Sequence, residues 1–163
     1  MKTKLLTSLI IISLSLMLSA AQAQDASTNR TFGIGAQVTN PAGVSMKGWI
    51  SDDAAIASVV SFNLSENTSS FYIHGDYLMH KQYETPGWDV GFLSYYYGVG
   101  GRYIWRDALI DDDFFGIRLP GGLNFTFTDV PFDFYVEMAP VFEVAPDFNF
   151  GFTGGLGFRY FLN

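Results

Sequence analysis

Apolar and polar positions alternate with a period of two along most of the chain, most cleanly at its C-terminal end. There Phe148, Phe150, Phe152, Gly154, Leu156, Phe158, Tyr160 and Leu162 interleave with Asn149, Gly151, Thr153, Gly155, Gly157, Arg159 and Phe161. Successive side chains of a strand point to opposite faces, so this segment has one apolar face and one small or polar face. Upstream, segment 132–144 sets Phe132, Phe134, Val136, Met138, Pro140, Phe142 and Val144 against Asp133, Tyr135, Glu137, Ala139, Val141 and Glu143. Segment 115–128 sets Phe115, Ile117, Leu119, Leu123, Phe125 and Phe127 against Gly116, Arg118, Gly122, Asn124 and Thr126. Segment 91–106 sets Leu93, Tyr95, Tyr97, Val99, Tyr103 and Trp105 against Ser94, Tyr96, Gly98, Gly100, Arg102 and Arg106, with Phe92 and Ile104 as exceptions.

Four weaker strand segments precede these, at 32–39, 44–50, 56–64 and 70–81. Turn signals such as Asn40-Pro41-Ala42-Gly43, Thr85-Pro86-Gly87 and Ala145-Pro146-Asp147 separate the segments, which predicts eight strands in an antiparallel meander. Pro120-Gly121-Gly122 reads locally as a turn, yet the apolar phase runs unchanged from Phe115 to Phe127, so 115–128 is read as one kinked strand. Segment 44–50 is short for a span of ~9–11 tilted residues.

Residues 1–23 form a different pattern: Lys2 and Lys4, an apolar run from Leu5 to Leu18, then Ala21-Gln22-Ala23. This is the layout of a secretory signal peptide cleaved after Ala23, and the apolar run is shorter than the ~20 residues of a spanning helix. The predicted mature domain is 24–163. The chain of 163 residues is 48% hydrophobic and 17% aromatic but only 15% charged, with 17 glycines and no cysteine. Disorder and a disulfide scaffold are excluded. The net charge of -7 becomes -9 once Lys2 and Lys4 are removed, which argues against a nucleic-acid partner.

Volume decides which face points inward. The apolar faces of the last three segments carry ten phenylalanines: Phe115, Phe125, Phe127, Phe132, Phe134, Phe142, Phe148, Phe150, Phe152 and Phe158. An eight-stranded barrel has an interior just wide enough for side chains to fill, so these rings fit only outside. An outward apolar face belongs in lipid, and strands that cross lipid must close on themselves to satisfy their hydrogen bonds. The predicted fold is therefore an all-β, eight-stranded, antiparallel, up-and-down transmembrane β-barrel. Aromatic residues near strand ends match interfacial girdles.

On these features the chain resembles the small outer-membrane β-barrel proteins of Gram-negative bacteria, of the OmpA-barrel and OmpX type. The resemblance covers the mature chain and is carried locally by Gly98-Val99-Gly100-Gly101-Arg102-Tyr103-Ile104-Trp105 and by Gly155-Leu156-Gly157-Phe158-Arg159-Tyr160-Phe161-Leu162. It implies an outer-membrane location and an assembly signal at Thr153, Gly155, Phe158 and Tyr160. The implied partners are outer-membrane lipid, with the barrel-assembly machinery and periplasmic chaperones during biogenesis, and the implied state is a monomer. Asn163 stands where the family often ends in Phe, and the connections are shorter than the family's usual loops.

The predicted inner face carries an ionic set: Lys47, Asp76, Arg102, Arg118, Asp133, Glu137, Glu143 and Arg159, with His74 beside them. Buried charges need partners, so the set predicts salt bridges that plug the lumen; a small polar conduit is the alternative. His74, Asp76 and His80 share one strand face, and a His beside a carboxylate is the beginning of acyl-transfer chemistry on lipid. No serine is tied to them by sequence, and Ser94 lies on the inner face of the next segment. Asp52-Asp53 and Asp111-Asp112-Asp113 lack the spacing of a calcium loop and read as solvated turns. No metal or cofactor is expected. The expected role is structural or in surface interaction, not enzymatic, with lipid modification or conduction of small apolar compounds as rivals.

Overall fold

The structure, a computed structural model, describes residues 31–38, 41–65, 68–83, 87, 89–107 and 113–162. The predicted signal peptide, residues 1–23, lies outside them. All regular structure among the described residues is strand: β1 (Phe32–Gln37), β2 (Gly43–Trp49), β3 (Ala54–Ser65), β4 (Thr68–Tyr83), β5 (Gly91–Asp107), β6 (Phe114–Arg118), β7 (Gly121–Phe127), β8 (Phe132–Ala145) and β9 (Asn149–Leu162).

The strands form one nine-stranded antiparallel sheet whose hydrogen bonding returns on itself, because β1 pairs with both β2 and β9. The expected count of eight is corrected to nine, since segment 115–128 is divided into β6 and β7. Both still pair with β5 on one side and β8 on the other. The register does not slip between them: Arg118 faces Gly100 and Val141, and Gly121 faces Tyr97 and Met138. The ladder continues across the gap through Gly98 N–H to the Pro120 carbonyl (2.8 Å) and Leu119 N–H to the Pro140 carbonyl (3.0 Å). What is lost is the return bond from position 120, because proline has no N–H.

Closure can be followed residue by residue. Arg159 faces Gly35, Gly35 faces Ser45, Ser45 faces Val59, Val59 faces His74 and His74 faces Arg102. Arg102 then faces Gly116, Gly116 faces Glu143, and Glu143 faces Asn149. One circuit that begins at Arg159 thus ends at Asn149, ten residues away on the same strand. A stagger of that size over eight inter-strand steps of ~4.8 Å tilts the strands by about 40°, within the range of closed sheets.

The outer face is apolar. Phe134, Val136, Met138, Phe150, Phe152 and Leu156 are each at least 45% exposed, and none of the ten phenylalanines that the alternation places on this face is buried. Aromatic rings gather in two belts. One contains the cross-strand row Phe125, Phe134 and Phe158 with the neighbouring pair Phe132 and Tyr160. The other contains Phe142 with Phe150, and the row Phe62, Phe71 and Trp105. On β8 the belts are marked by Phe134 and Phe142, with Val136, Met138 and Pro140 between them. Eight residues at the rise and tilt above put them about 20 Å apart along the axis.

The inner face pairs large side chains with glycines. Tyr135 lies where a Cβ on Gly157 would come within 2.7 Å of its ring, and Tyr96 does the same to Gly122 at 2.6 Å. A Cβ on Gly157 would also lie 2.5 Å from the Ala36 carbonyl oxygen, so Gly157→Val is expected to press on both Tyr135 and β1 and to cost about 1–3 kcal/mol, the usual penalty of overpacking. Thermal unfolding of the purified protein reads this; an unchanged midpoint would show that the inner wall at Gly157 is not closely packed.

Candidate functional site

The inner face holds a chain of charged and polar side chains in three groups. Nearest the rim that carries β1's start and β9's end, Asp133 is fully buried between two cations. Arg159 Nε donates to its Oδ1 at 3.0 Å, and Lys47 Nζ lies 3.7 Å from Oδ2. Both cations also reach the Asn124 side-chain carbonyl, Lys47 at 3.4 Å and Arg159 at 3.1 Å, while the Asn124 amide donates to Thr126 Oγ1 at 2.9 Å. Two aromatic rings complete the cage, Trp49 under Lys47 and Tyr135 under Arg159, each 4.2 Å from the cation. The Tyr135 hydroxyl bonds Gln37 and Ser45 at 3.0 Å each.

The second group is centred on Arg118. Its guanidinium is ion-paired with Asp76 (Nε to Oδ1, 3.2 Å) and with Glu137, and it donates to the Tyr72 hydroxyl (3.2 Å) and to His74 Nδ1. An arginine can only donate, so His74 Nδ1 must accept, which leaves the ring proton on Nε2, 3.5 Å from Asp76 Oδ2. Tyr96 donates to the second oxygen of Glu137 at 3.0 Å. The third group is the pair Arg102 and Glu143, to which Asn149 donates at 3.2 Å.

The eight ionic residues thus comprise four cations and four carboxylates, and each meets an opposite charge. His74, Asp76 and Glu137 also have the spacing of a three-ligand cation site, their ligand atoms lying within 4.8 Å of one another. The guanidinium of Arg118 already contacts all three. A positive charge is therefore built into the position an ion would take.

Other residues singled out in the sequence are placed elsewhere. His80 does not join His74 and Asp76; its ring lies 4.5 Å from that of Trp49 and 5.1 Å from that of Tyr96, centroid to centroid. Ser94 donates to the Asn124 backbone carbonyl at 3.3 Å, so no Ser-His-Asp arrangement is assembled. Thr153 and Gly155 lie on the inner wall of β9, while Phe158 and Tyr160 are exposed on the outer face. Asp52 and Asp53 are exposed in the β2–β3 turn, and Asp113 accepts from the Tyr103 hydroxyl at 2.7 Å. Asp111 and Asp112 lie outside the described residues.

Sequence reasoning did not assign roles to Tyr72, Tyr96, Tyr135, Gln37, Ser45 or Asn124. Phase alone put Tyr96, Tyr135 and Asn124 on the inner face, and Tyr72 stands two residues before His74. An inner position occupied by a side chain with a hydroxyl or amide among buried charges was the available signal.

Removing one partner of a buried ion pair leaves the other uncompensated, at a cost of about 3–5 kcal/mol. Asp133→Ala is expected to show this as a large fall in unfolding midpoint, and the double variant Asp133→Ala with Lys47→Met to recover part of it. A midpoint unchanged in Asp133→Ala would mean that the pairs do not hold the lumen. Arg118→Ala should empty the cation position and let Zn2+ raise the variant's midpoint but not that of the wild type; no zinc effect on the variant would refute the substitution of guanidinium for ion.

A scan against protein-family models, a search of the curated proteins and a search of the solved structures each find no match.

Proposed function

We propose that this chain is an integral outer-membrane β-barrel protein of a Gram-negative bacterium, with a plugged polar lumen and a structural or surface-interaction role in the envelope. β6 and β7 count as one of its eight barrel strands because they share neighbours and register. The observation that carries the reading is the inverted distribution of polarity: cations and carboxylates are buried inside the ring while phenylalanine, leucine, valine and methionine are exposed outside it. A water-facing surface of this composition would be a contiguous apolar patch far beyond the few hundred Å² that soluble monomers expose. Lipid makes it favourable.

Two further features support the reading. The aromatic belts stand about 20 Å apart with aliphatic residues between them, close to the apolar band of about 25 Å that outer-membrane barrels present. The hydrogen bonding returns on itself through β1, which pairs with the second half of β9, and a medium without water favours a sheet closed in this way. Thr153, Gly155, Phe158 and Tyr160 on the last strand serve in this reading as the assembly signal for the barrel-insertion machinery. The inner salt bridges favour a plug over a conduit, because a path through the lumen would have to separate Arg118 from Glu137 and Asp133 from Arg159. They also favour a structural role over lipid chemistry, since both nitrogens of His74 are engaged within the cluster.

Membrane fractionation followed by gel electrophoresis with and without boiling tests the assignment. The protein is expected in the outer-membrane fraction, migrating differently when unheated; a soluble and heat-insensitive protein would sink it. A second measurement isolates the lipid contact. Met138, 62% exposed between the two belts, is expected to cost about 2–4 kcal/mol of folding free energy into a bilayer when replaced by Lys. At a water-facing position the same change would stay within about 0.5 kcal/mol.

A further inference from the structure

One lumen-facing cation departs from the pairing that governs the others. Lys47, Arg102, Arg118 and Arg159 each meet a carboxylate. Arg106, opposite Ser70 on β4 and on the same strand face as Arg102, has no carboxylate partner among the described residues. Its guanidinium instead stacks on the Phe114 ring, 4.5 Å from the centroid. Stacking holds the plane of the group and leaves its N–H edges free to donate.

Those edges border a cavity of about 420 Å³ at the rim opposite the chain's β1 and β9 ends. Ser61, Ser70 and Tyr72 also line it, while Ile104, Pro41 and Ala42 supply apolar wall. Among the described residues, no carboxylate lines the cavity. Ser61 is buried and Ser70 half-buried at this rim. The volume is that of a small-ligand site, and the lining combines convergent polar groups with a smaller apolar wall. Beneath it, Tyr72 rests on Arg118 and His74, so the floor is fixed by the ionic cluster.

The geometry points to a binding site for a small amphipathic carboxylate, its charged end on Arg106 and the serine hydroxyls and its apolar body against Ile104, Pro41 and Ala42. Arg106 supplies a planar pair of donors that matches a carboxylate. The apolar wall distinguishes such a ligand from a bare inorganic anion. Ile104, one of two residues that break the alternation of its segment, is thereby given a reason to face inward. The site belongs to the ring of strands and does not depend on the ring's lying in lipid.

Titration calorimetry on the folded full-length protein in non-ionic detergent tests this with phenylacetate as probe, phenylacetamide as its uncharged counterpart and inorganic phosphate as the anion without an apolar body. Phenylacetate is expected to bind at one saturable site, about tenfold or more tighter than phenylacetamide, as a charge-assisted bidentate contact implies. Arg106→Gln should remove that preference, and Ile104→Trp should fill the cavity and abolish binding of both organic probes. Arg106 is exposed, so the Gln variant should keep the wild-type unfolding midpoint, which verifies that it is folded. Equal affinity for phenylacetate and phenylacetamide in the wild type, a preference that survives Arg106→Gln, or undiminished binding in Ile104→Trp would each overturn the assignment. Phosphate binding as tight as phenylacetate would overturn its amphipathic part.

Discussion

The ladder between β1 and β9 is the contact on which the other features depend. Without it the sheet would have two edges of unsatisfied backbone groups; with it, the sheet becomes a ring of fixed stagger. Stagger and strand number together set the tilt and the width of the lumen. A lumen of that width has no room for ten further rings, and so the alternating phenylalanines of the apolar faces of β6 to β9 are turned outward, while Phe161 packs on the inner wall of β9. Gly122 and Gly157 lie on the opposite wall, where Tyr96 and Tyr135 need backbone at close range.

The same narrowness governs the charges. A cation enclosed by protein is tolerated only with a counter-charge at contact distance and with its remaining donors satisfied. Arg118 meets both conditions through Asp76, Glu137, Tyr72 and His74, and Arg159 through Asp133, Asn124 and the face of Tyr135. Asp133 is shared by two cations while Arg118 is shared by two carboxylates, so neutrality is reached across the set and not pair by pair. Arg106 lies beyond this set, at the open end, where water or a ligand can do what a carboxylate does deeper inside.

Polarity on the two faces of one strand is therefore a single choice imposed by closure. Each inner salt bridge is backed by an outer apolar residue one position away, as with Asp133 between Phe132 and Phe134, or Arg159 between Phe158 and Tyr160. A one-residue slip of any strand would expose the charges and bury the rings. The unbroken register from Arg118 to Gly121 shows how strictly this is kept, since even Pro120, which costs a ladder bond, does not shift it.

The all-β class, the antiparallel order and nearly every strand segment were legible in the amino-acid sequence, because alternation is a local property: each strand displays its two faces whatever it pairs with. The place of Pro120 was half legible, its phase pointing to continuity and its chemistry to a break, and the structure contains both. Which residues share a face can likewise be read from phase, as for Asp133, Glu137 and Arg159. Which cation meets which carboxylate could not be. Arg118 lies 42 positions from Asp76 and 19 from Glu137, and Lys47 lies 77 from Asn124; these meetings depend on the register of several ladders summed around the ring. The sequence by itself thus determined the strands and their two faces, while the partners in the lumen, the guanidinium in the cation position and the place of Arg106 at the cavity were decided by closure, a relation among distant strands that no local pattern encodes.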